Sequence, residues 1–233
     1  MSRRASAVHD DAEVVSVNVG APRIVQWAGR QVETAIWKEP VHGRIALAGV
    51  NLAGDGQADR RVHGGADKAV YAYAVEDYRW WASELGEPVP PGTFGENLTT
   101  LGLDLAAAVV GEVWSIGSAL LAVTQPRLPC FKLGIRMGDA SFVARFDEAR
   151  RHGVYLRVVA EGEIGAGDKV DLVSRPDHGL TAYAIADIYE APTPVALLRL
   201  VATPGVPESW RSWAERQLDR PTSIRLAGSA TDG

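Results

Sequence analysis

Glu112-Val113-Trp114-Ser115-Ile116-Gly117-Ser118-Ala119-Leu120-Leu121-Ala122-Val123-Thr124-Gln125-Pro126-Arg127-Leu128-Pro129-Cys130 is the stretch whose reading decides the fold. Residues 112–116 and 119–124 are apolar runs of strand length, and Gly117-Ser118 between them is a turn signal. Similar short runs lie at 35–37, 43–47, 69–74, 153–159 and 169–173, separated by Gly, Pro or Asp, and residues 14–19 alternate apolar and polar positions as a half-buried strand does. Helical spacing interrupts them twice: Tyr78, Trp81 and Leu85 within 75–85, and Phe142, Val143 and Phe146 within 141–150. The body therefore reads as mainly β with helices, an α+β protein whose economical architecture is a closed or nearly closed barrel.

Around this body the organisation changes. Residues 1–13 are polar, mixed in charge and read as a flexible arm, leaving 14–174 for the barrel. The polar stretch 174–179 reads as a linker. Beyond it Thr181 is placed to cap a helix over 182–189, Thr193-Pro194 starts another through 201, and Pro207-Glu208 opens a third through 218. Residues 180–220 are thus expected to form a small three-helix unit docked on the barrel, with 221–233 a flexible tail.

The 233 residues, 46% hydrophobic, suffice for a large core. No run approaches a membrane span and no apolar stretch marks the N-terminus as a secretory signal, so the expectation is a soluble, cytoplasmic protein. A net charge of −5 argues against broad attraction to nucleic acid. Any anionic ligand has to be held locally.

Chemistry concentrates in three segments. Cys130, the only cysteine, follows two prolines and is flanked by Arg127 and Lys132. Nearby cations favour the thiolate, the form that attacks electrophiles or binds soft metals, although a lone cysteine is more often a small buried hydrophobe. The glycine-rich run 54–68 carries Arg61, His63, Gly64, Gly65 and Lys68. Glycines let backbone amides approach an anion and the cations add charge-assisted bonds, against the alternative of a solvated turn salt-bridged to Asp55, Asp59 and Asp67. It matches neither a Walker loop nor a dinucleotide fingerprint. In the third run, 91–100, Asn97 and Glu96 have the inventory for a polar ring and a proton, while Asn97 equally suits a turn pinned through its own backbone.

The runs GDGQADRRVHGGADKAVYAY (54–73), PGTFGENLTTLGL (91–103), GEVWSIG (111–117) and TQPRLPCFKLG (124–134), in this order, closely resemble the MOSC domain family, named for the C-terminal domain of molybdenum-cofactor sulfurases. The tail over 180–218 resembles the three-helix appendage of its YiiM-type members. The likeness covers roughly residues 14 to 218.

The resemblance implies a β-barrel that binds molybdenum cofactor (molybdopterin), with Cys130 as the protein's sulfur ligand to the metal. One soft ligand suffices there because the pterin dithiolene and oxo groups complete the coordination. It further implies reduction of N-hydroxylated small molecules, hydroxylaminopurine-type base analogues among them, with an external redox partner supplying electrons. The family also carries a pyridoxal phosphate label, taken at family level only. On this reading Arg61, His63, Gly64, Gly65, Lys68, Arg127 and Lys132 hold the cofactor's phosphate and pterin or balance its charge. Asn97 and Gln125 bond pterin or substrate, and Glu96 or His63 supplies a proton. Arg23, Arg30 and Lys38 are open as further contacts. A carrier of cofactor, or of sulfur as a Cys130 persulfide, uses the same thiol without turnover. A nucleic-acid role for the tail is disfavoured because Arg199, Arg211 and Arg216 are interspersed with Asp187, Glu190, Glu208 and Glu215. Docking a redox partner, capping the cleft or forming a homodimer are the tail's expected uses.

Overall fold

The structure is a computed structural model, and it describes residues 7–56 and 64–220. The chain opens with β1 (Val8–Val19), the hairpin strands β2 (Arg23–Trp27) and β3 (Arg30–Thr34), then β4 (Glu39–Pro40), β5 (Arg44–Ala48) and β6 (Asn51–Leu52). β7 (Val70–Ala74) runs directly into α1 (Val75–Leu85), which returns the chain to β8 (Leu98–Leu103). After β9 (Val113–Ile116) and β10 (Ala119–Pro126) come the short helices α2 (Phe131–Met137) and α3 (Phe142–Glu148). β11 (Val154–Ala160), β12 (Gly162–Gly165) and β13 (Val170–Ser174) complete the strands, and α4 (Ala182–Glu190), α5 (Pro194–Ala202) and α6 (Glu208–Leu218) end the described chain.

Eight strands form one mixed sheet in the order β13-β9-β10-β11-β7-β8-β1-β4. β7 and β8 pair in parallel, which the α1 crossover makes possible. The expected closed or nearly closed barrel is not a continuous ladder. β1 and β13 touch through the single bridge Glu13–Lys169 and through two backbone bonds, Val14 N–H to Asp168 O at 2.9 Å and Gly167 N–H to Val14 O at 2.8 Å. Accumulated right-handed twist curls the sheet until β1 meets the residues that lead into β13.

Two corrections concern elements. β1 begins at Val8, so residues 8–13, expected in the flexible arm, belong to the sheet; Val8 pairs with Leu103 and Glu13 with Leu101, and the residues between them bulge. The bulge turns His9, Asp10 and Asp11 to solvent, which is why this strand lacks apolar alternation. Residues 35–37, expected as a strand, lie between β3 and β4 without ladder pairing. The run 27–30 is a hairpin turn in which Ala28 (φ 48°) and Gly29 (φ 76°) both take the left-handed form that matches strand twist.

Packing separates three apolar clusters. One fills the sheet interior with Val14, Val17, Leu98, Trp114, Leu121, Val123 and Leu156. An aromatic one stacks Tyr73, Tyr78, Trp81, Phe94, Phe142 and Phe146 beneath α1, α2 and α3. The third joins Leu180, Ile185, Leu197, Leu200 and Ala214 of the helical unit to Val110 of the sheet domain. The Thr181 and Thr193 hydroxyls accept the Ala184 and Ala196 N–H at 3.1 and 3.3 Å, capping α4 and α5. The connection is pinned too: Val110 N–H donates to Leu180 O at 3.0 Å and Ala182 N–H to Ala108 O at 2.9 Å. Among the described residues no helix is long and apolar enough to cross a membrane.

Candidate functional site

Cys130 occupies the N-cap of α2 in extended conformation, immediately after the two prolines that stop β10. Cys130 is partly exposed and lines an open cleft. Among the described residues, Lys38, Lys68, Arg127 and Lys132 line this cleft against one carboxylate, Asp55. Tyr71, Tyr155 and Phe94 supply its aromatic wall. The loop 35–37 faces the cleft rather than a sheet, with Ala35 and Ile36 in its lining.

Arg127 is the informative side chain. Only 5% exposed, it sends Nη2 toward the Phe94 carbonyl at 3.5 Å, and its guanidinium carbon lies 5.6 Å from the Tyr71 ring and 5.5 Å from Phe146. Its Nη1 is buried with no hydrogen-bond partner. A buried donor left without an acceptor costs roughly 1–3 kcal/mol, more when charged, so it marks a place where a ligand acceptor is owed. Burial disfavours its charge, but Tyr71, Tyr155 and Cys130 outweigh that and hold the guanidinium even more firmly protonated than usual.

Lys38 and Asp55 form a buried ion pair that sequence reasoning did not assemble, their side chains 9% and 3% exposed. Burial pushes the Lys38 ammonium below its usual range against the pull of Asp55. Asp55 also accepts Gly20 N–H and Asn97 Nδ2–H, both at 2.9 Å, which fastens the start of the glycine-rich loop to the sheet. Asn97 is spent on this architecture: its Oδ1 accepts Tyr71 N–H at 3.1 Å and its Nδ2 also lies 3.3 Å from Asn18 O. It borders the cleft as a brace rather than as a free amide.

Two expected site residues point elsewhere. Glu96 is fully buried outside the cleft lining, and its Oε1 accepts Tyr78 O–H at 2.6 Å, Gly92 N–H at 2.5 Å and Thr99 O–H at 2.8 Å. Burial raises its carboxyl above the usual range despite these donors. Gln125, 3% exposed, accepts Trp210 Nε1–H on Oε1 at 2.5 Å and points Nε2 at the Asp67 carbonyl, 3.3 Å away; it ties α6 to the sheet. Lys68 does reach the cleft, its Nζ 6.0 Å from the Tyr155 ring centre. Gly64 and Gly65 precede the 3-10 turn Ala66–Lys68 and are not in the cleft lining. Arg61 and His63 lie outside the described residues. Arg23 stacks over Trp37 at 3.7 Å and, like Arg30, does not line the cleft.

The donor set fits an anionic metal–pterin group: one soft sulfur at the lip, an orphaned buried guanidinium nitrogen, and Lys68 and Lys132 in the same lining. An α+β sheet domain with a single cysteine at a cationic cleft and a helical appendage is thus the class defined by fold and site. The MOSC domain model matches residues 59–171. A Bacillus subtilis protein, "Uncharacterized protein YflK", is 35% identical over 209 residues, 89% of this chain and 95% of that protein. The chain belongs to the MOSC domain family. The crystal structure of YiiM from Geobacillus stearothermophilus superposes with a TM-score of 0.74 at 31% identity, covering 89% of this chain and 99% of that one. A protein of Gibberella moniliformis named "Reductase" is 33% identical over 168 residues, 70% of this chain but 30% of the longer fungal protein.

Proposed function

We propose that this protein is a molybdenum-cofactor-dependent reductase of N-hydroxylated compounds. The observation that carries the reading is Cys130 at the lip of a cationic cleft whose buried Arg127 Nη1 lacks an acceptor. The relative named reductase supports the reaction class. When bound, the cofactor would supply two-electron chemistry able to accept an oxygen atom.

The chain's own contribution is binding and charge. The Cys130 thiolate would bond the metal, Arg127 Nη1 would donate to an anionic or carbonyl oxygen of the carrier, and Lys68 and Lys132 would offset its phosphate. Tyr71 and Tyr155, their ring centres 5.4 Å apart, give a planar substrate or pterin an aromatic flank. Overall R–NHOH, two electrons and two protons yield R–NH2 and water, the electrons coming from an external donor protein. Glu96 lies outside the cleft lining, so His63 is the proposed proton donor.

Full-length protein made in a host that synthesises the cofactor should purify with molybdenum and, given a chemical electron donor, convert hydroxylaminopurine to the amine. Cys130→Ser should retain the wild-type melting temperature and lose at least tenfold in bound molybdenum. Tight cofactor binding without product would favour the carrier role instead, and full activity in Cys130→Ser would remove the sulfur from the mechanism.

A further inference from the structure

The helical unit reaches the cleft through a chain of polar contacts that no part of the proposed chemistry uses. Trp210 of α6 donates Nε1–H to Gln125 Oε1 at 2.5 Å, and Gln125 Nε2 lies 3.3 Å from the Asp67 carbonyl. Thr124 Oγ1 stands 2.7 Å from the same carbonyl. The Asp67 carboxylate pairs with Arg157 Nε at 3.3 Å, and Arg157 Nη2 donates to the Gly205 carbonyl, in the turn before α6, at 2.9 Å. Asp67 is therefore held at both ends, its carbonyl by Thr124 and Gln125 of β10 and its carboxylate through Arg157 of β11, and the Gln125 and Arg157 holds lead back to the helical unit. The next residue is Lys68, which lines the cleft together with Cys130.

We infer that Trp210 and Arg157 are positioning residues: the C-terminal helices latch the turn that carries Lys68 and so set the positive potential around Cys130. This rests on the reading that the cleft is the anion-binding site. The physical reason for a latch is that a lysine is a point charge on a flexible stem, so its effect at a given atom depends on where its backbone is fixed. The turn has three residues, follows the left-handed Gly65 (φ 94°) and leads into β7, so its placement depends on what its flanks are tied to. Gln125 makes both amide contacts from a buried position, so a shift of α6 passes to Asp67 rather than being absorbed by solvent.

The test needs no cofactor. Cys130 is the only cysteine and is partly exposed, so alkylation of the full chain reads one site. The ratio of its rates with anionic iodoacetate and neutral iodoacetamide reports local potential and cancels simple changes in access. A unit charge lining the same cleft changes such a ratio on the order of twofold to threefold in high dielectric. Lys68→Met should lower the ratio by about that factor, Trp210→Phe should lower it by a comparable amount while the chain stays folded, and the double variant should fall no further than Lys68→Met alone. Arg157→Gln, which cuts the other arm outside the helical core, should act in the same direction and serves if Trp210→Phe unfolds. A wild-type ratio in the folded arm variants, an unmoved ratio in Lys68→Met, or a double variant equal to the product of the singles would each overturn the latch. Absence of molybdenum from the purified protein would instead overturn the cofactor reading and leave these ratios as they are.

Discussion

Replacing His152 by phenylalanine should flatten the acid side of the stability profile. His152 is fully buried where the sheet meets α4, and neither ring nitrogen has a hydrogen-bond partner. The Tyr183 ring lies edge-on at 5.4 Å, and the Asp147 carboxylate, 3.9 Å from Nδ1, is too far for a good bond. Burial first, then the charges of Arg150 and Arg127, lower its pKa from 6.5 to about 4. The unfolded chain takes up this proton near its ordinary pKa, whereas the native state resists until about pH 4. The neutral ring's contribution is thus complete above pH 6.5 and is lost as pH falls from 6.5 to 4. The gap is worth roughly 3.4 kcal/mol in all, of which about 2 kcal/mol is gone by pH 5. Urea denaturation at pH 7.5 and pH 5.0 measures it: His152→Phe should show a difference between the two pH values smaller than wild type by about 2 kcal/mol. An unchanged difference, or a native-state His152 titration near pH 6.5, would refute the reasoning.

Two further substitutions test the assignments around the cleft. Glu96→Ala strands the Tyr78 hydroxyl, the Gly92 N–H and the Thr99 hydroxyl in a buried site, so a loss of roughly 3–5 kcal/mol is expected in urea denaturation. Glu96→Gln keeps the accepting oxygen and should keep turnover per bound molybdenum; a folded Glu96→Gln without turnover would return Glu96 to acid catalysis. Gly153→Ala forces a side chain at φ 67° with its Cβ 2.5 Å from the Ala72 carbonyl, so a cost of about 3 kcal/mol, or roughly a 6–12 °C fall in melting temperature, is expected. A melt within about 2 °C of wild type would show that the β7–β11 pairing yields easily.

The helices that sequence periodicity marks are those with an amphipathic face and an end signal. In α1, Tyr78 and Trp81 are buried three residues apart and Gly86 closes the C-terminus at φ 75°. α4 and α5 carry their threonine caps, and Pro194 sits in the first turn. α2 escaped notice because its seven residues follow two prolines and bury Leu133, Gly134 and Ile135 consecutively, too short a run to show a period. Tyr71 was visible only as part of a strand. Its role as cleft wall depends on β7 pairing with β11, which brings Tyr155 opposite it from 84 residues away in the chain.

Residue types by themselves identified the sulfur, the cations and the order of elements, because thiol chemistry, charge and hydrophobic period are properties of short segments. Which polar side chains are available to a ligand was decided only by tertiary contact. Glu96, Asn97 and Gln125 have free donors and acceptors as residues, yet in the fold they bond Tyr78, Tyr71 and Trp210, and what stays unspent is buried: Arg127 Nη1 in the cleft lining and Glu96 Oε2 outside it. Hydrogen-bond capacity is finite, and only the packed chain shows where it has been used.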